Sequence, residues 1–239
     1  KPQNLSFNKT FFKLQITEED WDGALTTYKK INKIKKLNKE IYTKGESILL
    51  FQKAKELRSE GKTLDALKIS RQALKKSPSL VPNSIFLSEL ELLEGQKKKA
   101  EAALLSTWKA IPHPDIAKKF AEIEKNESVE ARIERFKKIL NVKKTDTETK
   151  ILKAELNILS ENFPEARRSI IDLIETDKAN AKVYTLMAAI EKGAGSSDAV
   201  VKGWLAKAVT AKRSKRWICS NCESQSDWVP VCKKCGEFS

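Results

Sequence analysis

The amino-acid sequence predicts an all-α fold, a right-handed solenoid of paired helices that ends in a small metal-stapled ribbon. Three observations predict it. Apolar residues recur at intervals of three and four from residue 1 to residue 212, small and turn-forming residues recur every 34 positions, and all four cysteines lie between residues 219 and 235. We therefore divide the chain into a helical solenoid, residues 1–212, and a basic linker with a four-cysteine ribbon, residues 213–239.

The helical part has an apolar spacing that turns one face of each helix toward a core, as at Leu64, Leu67, Ala73 and Leu74. Strand-like alternation is absent from this part of the sequence, and glycine and proline fall where helices should end. The pattern predicts five or six helix pairs. Their helices group approximately into residues 16–59, 62–110, 114–141, 147–177 and 181–210.

Internal repetition predicts how these helices are arranged. The recurrent positions, each pair 34 residues apart, are Gly61 and Gly95, Ala66 and Ala100, Pro78 and Pro112, and Ala154 and Ala188. This is the length of a tetratricopeptide repeat, which consists of two antiparallel helices with a small residue at their crossing. Alanine lets the helix axes approach to about 8–10 Å. Glycine turns the chain between the two helices, and proline ends the second helix because it lacks a backbone N–H.

Two stretches depart from this period. Residues 21–24 look like the start of a second helix, but Ala24 lies 42 residues before Ala66, so the first repeat is predicted to be longer. Residues 114–145 match the repeat pattern poorly. We nevertheless predict helices in both stretches.

The cysteines form two C-x2-C pairs separated by nine residues: Cys219, Cys222, Cys232 and Cys235. Each pair can fold into a tight knuckle with both sulfurs facing one point, and four thiolates are the tetrahedral ligand set that Zn²⁺ prefers. Because four cysteines leave no open coordination position, the predicted zinc is structural and the module a rubredoxin-like zinc ribbon. A segment of about 25 residues is too small to fold without such a metal.

Other uses of these cysteines fit less well. Iron in a rubredoxin-like site of four sulfurs is the alternative metal, since tetrahedral sulfur suits both ions. Disulfides are not favoured, because the sequence shows no secretory signal. A redox-active C-x-x-C pair normally opens a helix near a βαβ pattern, and the sequence has no such pattern.

The formal net charge of +14 is compatible with a nucleic-acid or anionic-membrane ligand. However, only 8 of the 46 basic residues are arginine, and the lysines are spread along the whole chain. Nucleic-acid sites cluster their charge and use arginine forks. We therefore expect protein partners, bound on the concave face of the repeats, with a nucleic-acid-binding repeat protein as the alternative. The densest basic run, residues 212–216, is interpreted as a linker.

The sequence does not predict an enzyme. Its single histidine, His113, lies between two prolines and is interpreted as part of a turn, with Pro114 at the first position of the next helix. The chain contains no P-loop, GxGxxG or HExxH motif. Beside the cysteines, which we assign to zinc, the obvious candidate haem ligands are His113 and Met187.

Several stretches resemble the HemY proteins of alphaproteobacteria: residues 106–123, 161–175 and 204–209, and the cysteine-rich tail. The resemblance covers essentially the whole chain. Its most specific part is Trp108 followed by Pro112, His113 and Pro114, upstream of the terminal ribbon. It implies an inner-membrane protein with two N-terminal transmembrane helices, a repeat domain on the cytoplasmic face, and an association with haem biosynthesis. Haem-pathway enzymes are then the expected partners.

Some features depart from that family. No apolar run reaches the ~18 residues of a membrane helix, so this chain alone is expected to be soluble and cytoplasmic, and its start at Lys1 suggests a fragment. Glu223 stands where a glycine usually follows the first knuckle. The LapB-like assembly proteins of lipopolysaccharide regulation combine the same parts and rank second.

The position of the ribbon can also be predicted. A stack of helix pairs exposes an apolar face at each end, which needs a cap. We expect the ribbon to share little core with the repeats and to fold back onto residues 198–210, near Trp204 and Leu205, with Trp217 or Trp228 in contact. A ribbon that swings free on its basic linker is the alternative.

Overall fold

The structure, a computed structural model, describes residues 2–212 and 217–238, with side chains from residue 4 onward. The described residues form twelve α-helices: α1 (Pro2–Thr17), α2 (Trp21–Lys35), α3 (Lys39–Ser59), α4 (Thr63–Lys76), α5 (Val81–Leu93), α6 (Lys97–Ala110), α7 (Pro114–Glu122), α8 (Val129–Leu140), α9 (Thr147–Leu159), α10 (Phe163–Glu175), α11 (Ala181–Gly193) and α12 (Asp198–Thr210). Two short strands, β1 (Trp217–Ile218) and β2 (Gln225–Ser226), pair antiparallel. The predicted all-α fold with tetratricopeptide-like helix pairs is confirmed.

Small residues allow the helices of a pair to pack closely, as predicted. Of the alanines in the predicted 34-residue pattern, Ala66, Ala100 and Ala154 are completely buried and Ala188 is 3% exposed; Ala54 and Ala166, which lie at equivalent positions, are also completely buried. Buried serines add hydrogen bonds across two of the pairs. Ser47 Oγ donates to the Ala73 carbonyl at 2.8 Å, and Ser84 Oγ donates to the Ala103 carbonyl at 3.1 Å.

The turns inside five of the pairs share one backbone conformation. Each contains a residue with positive φ: Glu19, Gly61, Gly95, Glu161 and Gly195. The N–H of the next residue donates to a carbonyl five positions earlier, as from Lys62 to Leu57 at 2.9 Å, which is the Schellman closure of a helix. Glycine adopts positive φ without a Cβ clash, so the predicted turn role of Gly61 and Gly95 is confirmed. Glu161 adopts the same conformation without that advantage.

The helix boundaries differ from the prediction mainly at the start. Residues 2–17 form a complete helix, whereas the first predicted group began at residue 16. The predicted second helix at Trp21 is correct, since α2 begins there. The poorly matching stretch from residue 114 contains the two short helices α7 and α8. Contact between Phe120 and Phe136, with ring centroids 5.0 Å apart, packs these two helices together.

Contacts divide the chain into two compact units, Lys1–Ala110 with Trp217–Ser239, and Ile111–Arg216. The first unit therefore contains α1–α6 together with the cysteine-rich ribbon. One of its core clusters joins α1, α2 and α3 and includes Phe12, Trp21, Tyr28, Ile48 and Phe51. The predicted boundary at residue 212 treats the solenoid and the ribbon as parts that fold independently, and this division stays a prediction.

Tyr28 lies at the centre of the first unit's aromatic cluster. Its ring stacks on Phe12 and on Tyr42, with centroids 5.5 Å apart in both pairs, and its hydroxyl donates to the Ile41 carbonyl at 3.2 Å. A Cβ atom on Gly45 would overlap the Tyr28 hydroxyl, so α3 needs a glycine at this close approach. Burial, followed by the charges of its neighbours, raises the pKa of Tyr28 to about 12.

The second unit contains α7–α12. The core cluster of α9, α10 and α11 includes Ile151, Ile170 and Met187. No residue of α12 is buried; Leu205 is 44% exposed and Val209 is 85% exposed. Apolar residues of the 198–210 helix are therefore exposed in this unit, as predicted.

Candidate metal centre

The two cysteine pairs occupy two copies of one small hairpin, offset by thirteen residues. In the first copy Ile218 pairs with Gln225, and in the second Val231 pairs with Phe238. Each hairpin brings one C-x2-C pair to its tip. The Cys219 N–H donates to the Ser224 carbonyl at 3.0 Å, and the N–H of residue 232 donates to the carbonyl of residue 237 at 2.8 Å.

Each knuckle closes with a residue of positive φ after its second cysteine. These residues are Glu223, φ 56°, and Gly236, φ 68°. Their N–H groups donate to the backbone carbonyl of the first cysteine in the same pair, Cys219 at 3.0 Å and Cys232 at 2.8 Å. Glu223 therefore adopts the conformation that glycine adopts in the second knuckle, and the first knuckle keeps the same hydrogen bond.

The four sulfurs converge on one point. Their Sγ atoms all lie within 4.8 Å of one another, none of the four is in a disulfide, and two pairs, Cys219 with Cys235 and Cys222 with Cys232, are 3.6 Å apart. The edge of a tetrahedron with metal–sulfur bonds of about 2.3 Å is about 3.8 Å. These cysteines could therefore hold a metal ion, with all four positions of a tetrahedral site filled.

Ser224 is a further residue of the site that spacing alone did not identify. Its Oγ lies 3.2 Å from Cys222 Sγ and 3.3 Å from Cys232 Sγ. This hydroxyl, followed by backbone N–H groups, lowers the pKa of Cys232 to about 6, and it also lowers the pKa of Cys222. Because the thiolate is the form that binds metals, Ser224 favours the ligand state of both cysteines.

The ribbon packs on the helices of the first unit through three side chains. Trp228, Val231 and Phe238 are partly buried against the core cluster of α1–α3. The Trp228 ring lies 5.6 Å from Phe51, and the Phe238 ring lies 5.4 Å from Phe12. The expectation that the ribbon docks on residues 198–210 and shares little core with the repeats is corrected. Its aromatic side chains fit apolar positions of α1 and α3 instead.

His113 lies in the second unit and caps a helix. Its Nδ1 accepts a hydrogen bond from the Asp115 N–H at 3.2 Å, and Pro114 is the first residue of α7. The predicted turn and helix start are confirmed. Met187, the other protein side chain considered as a haem ligand, is completely buried in the core of the second unit.

Residues 213–216 of the basic run lie outside the described residues, so its interpretation as a linker stays a prediction. None of the helices in the described part of the chain combines the length and apolarity needed to cross a bilayer.

No protein-family model matches the chain, so membership of the HemY family stays a prediction. A sequence relative is the "Probable magnetosome protein Mms48" of Magnetospirillum gryphiswaldense, 23% identical over 226 residues. The match covers 94% of this chain but 50% of that protein, so the chain spans half the length of this relative.

Solved structures similar to this chain include a tetratricopeptide repeat protein and the MamA protein. A tetratricopeptide repeat protein from Parabacteroides merdae is 17% identical, with a TM-score of 0.43 over 89% of this chain and 81% of that one. The MamA protein is 14% identical, with a TM-score of 0.30 over 87% of this chain and 92% of that one. The sequence is distantly similar to a probable magnetosome protein, and the helix pairs and buried alanines described above characterise this chain as a tetratricopeptide-like helical repeat protein.

Proposed function

We propose that this chain is a non-enzymatic scaffold that binds protein partners. The observation that carries the proposal is the run of helix pairs with buried alanines at their crossings, because stacked repeats of this kind form extended surfaces for other proteins. The use of His113 as a helix cap supports a role without catalysis. In this proposal the concave faces of the repeats are the main binding surfaces.

The proposal assigns Zn²⁺ to the four cysteines as a structural ion, with iron as the alternative metal. The convergence of four sulfurs within 4.8 Å supports a tetrahedral site. A bound metal would hold the two knuckles together, and the ribbon would then present Trp228 and Phe238 to the helices as a fixed unit. The metal would stabilise the scaffold and take no part in a reaction.

The identity of the partner has two sources of support. The resemblance to HemY proteins favours haem-pathway enzymes at the cytoplasmic face of the inner membrane. Similarity to a protein named as a magnetosome protein favours a partner in that organelle. Chemical cross-linking in native cells, followed by affinity purification of the chain and mass spectrometry, decides between them.

The same experiment tests the scaffold itself. We expect defined proteins to be enriched over a purification with an unrelated helical protein. Binding should weaken only modestly when ionic strength is raised, since groove contacts depend on salt less than phosphate contacts do. Recovery of nucleic acid in place of protein, with steep salt dependence, would support the alternative nucleic-acid-binding repeat protein. Recovery of neither protein nor nucleic acid would contradict both functions.

A further inference from the structure

A cavity of about 640 Å³ lies in the first unit between α1, α2 and the second knuckle of the ribbon. Its volume is that of a typical ligand site. Phe12, Ile16 and Ile31 form apolar parts of its lining. Ile41, at the start of α3, adds a side chain that is 60% exposed. The cavity therefore offers an apolar surface that a bound side chain could cover.

Three lysines line the same cavity. Lys9 and Lys13 come from α1 and Lys35 from α2, and all three are exposed. None of them has an ion-pair partner in the part of the chain that the structure describes. Among the described residues, the only carboxylate in the lining is Glu237. Unpaired lysines around an apolar surface favour a ligand that carries both negative charge and apolar groups.

The ribbon supplies one wall of this cavity through its second knuckle. Gly236 and Phe238 line it, together with Cys235. A metal bound by four thiolates would carry two net negative charges, which Lys233 and Lys234 of the same knuckle offset. The lysines of the helices are then left to face the ligand. Because the knuckle needs its metal to fold, the wall should exist only in the metal-loaded protein.

We propose that this cavity binds an acidic segment of a partner protein that also carries apolar side chains, and that the metal-loaded ribbon completes the site. The proposal rests on the scaffold function proposed above and names the chemistry of one partner. A peptide segment suits the cavity because it can insert side chains between three walls. A bilayer would instead contact protruding groups such as Phe7, which is 68% exposed on the outer side of α1.

The test uses the full chain loaded with zinc and a fluorescein-labelled peptide of glutamates and leucines. Binding is measured by fluorescence anisotropy at an ionic strength of about 0.15 M. Two further peptides replace glutamate by glutamine or leucine by serine. The binding variant combines Lys9→Glu, Lys13→Glu and Lys35→Glu. The matched control combines Lys29→Glu, Lys30→Glu and Lys33→Glu, which changes the net charge equally at exposed positions of α2 outside the lining.

We expect the binding variant to weaken peptide affinity about tenfold or more, and the control variant to change it less than about threefold. Either peptide replacement should weaken binding, and so should removal of zinc by a chelator. Thermal unfolding of both variants checks that they remain folded. The proposal would be overturned if both variants lost peptide affinity equally, or if the peptide affinity did not change when zinc was removed. Preferential binding to phosphatidylglycerol vesicles, lost in Phe7→Ser, would show a lipid surface instead.

The outcome can be separated from a failure of the scaffold function. If cross-linked partners remain bound to the variant with glutamate at positions 9, 13 and 35, the scaffold stands and this cavity is not their site. If the unmodified chain captures no protein in cells, the scaffold function fails, whatever the peptide does in solution.

Discussion

The ring of Phe238 meets the ring of Phe12 edge-on, with 5.4 Å between their centroids and 89° between their planes. Phe238 also lies 6.2 Å from Tyr28, the residue on which Phe12 stacks. Aromatic pairs in such arrangements contribute about 0.5–1.5 kcal/mol beyond the burial of their surface. The ribbon is therefore part of the hydrophobic core of the first unit. Removing its contacts should measurably lower the stability of the helices in that unit.

Replacing Phe238 tests this contact. We expect Phe238→Ala to lower the free energy of unfolding by about 2–3 kcal/mol, somewhat less than a fully buried phenylalanine would, because the ring is only partly buried. Urea denaturation followed by circular dichroism measures the change. Phe7→Ala, at a ring that is 68% exposed, should stay within about 0.5 kcal/mol. Similar effects of the two substitutions would mean that the ribbon does not support the helices.

Loss of the metal should also lower the thermal stability of the helices in the first unit. Metal analysis of the purified chain should give about one zinc ion, and Cys232→Ser should abolish it because one of four thiolates is lost. The thermal midpoint should fall, since Trp228 and Phe238 lose their fixed positions, while most helical signal remains below the transition. Lys233→Ser, beside the ligand, should keep the metal. An unchanged midpoint in the metal-free variant would restore the interpretation of the ribbon as an independent tethered module.

The turn at Glu161 offers a stabilising substitution. Its φ of 56° costs a residue with a Cβ about 1–2 kcal/mol, whereas glycine adopts it freely but loses more entropy on folding. The net expectation for Glu161→Gly is a gain of about 0.5–1 kcal/mol, measured by urea denaturation. Glu161→Ala keeps the Cβ and should show no gain. A loss with glycine would indicate that the glutamate side chain itself stabilises the turn.

The helix cap at His113 predicts different effects on stability for two substitutions of this residue. Asparagine can accept the same backbone hydrogen bond, so His113→Asn should leave the stability of the second unit nearly unchanged. His113→Ala should cost about 1 kcal/mol, because the Asp115 N–H loses its partner. Thermal unfolding of both variants gives the comparison. An asparagine variant that is folded but inactive in cells would assign His113 a role beyond the cap.

Tyr28 makes the stability depend on pH in the alkaline range. Its pKa rises from 10.0 to about 12 on folding, so the folded state holds this proton more tightly than the unfolded state does. The stability that this group contributes is fully present below pH 10 and falls as pH rises toward 12. Tyr28→Phe removes this proton and should flatten the decline relative to the unmodified chain. Identical pH profiles of urea denaturation midpoints would show that Tyr28 ionises normally.

Much of the architecture follows from local sequence rules. Gly61, Gly95 and the paired alanines could be predicted because a left-handed turn and a close helix crossing restrict the residue type. The cysteine spacing predicted the knuckles for the same reason. These signals depend on neighbours a few residues away, so a single sequence contains them.

The docking of the ribbon could not be predicted in this way. Phe12 and Phe238 pair across almost the whole chain, and neither residue has a spacing that identifies the other. α1 was also difficult, because Phe7, Phe11 and Leu14 leave its outer side apolar and exposed, which obscures its amphipathic pattern. Ser224 joined the site only once the hairpin placed its hydroxyl between two sulfurs.

The contact between Phe12 and Phe238 also affects how the protein is synthesised. Ribosomes add about 5–20 residues per second, so α1 emerges about ten seconds or more before the ribbon that covers part of its apolar surface. During that interval Phe12 and Tyr28 have no ribbon to pack against, and contacts of such long sequence separation form slowly. Newly made chains should therefore depend on chaperones, and on the supply of metal, until the ribbon has left the ribosome.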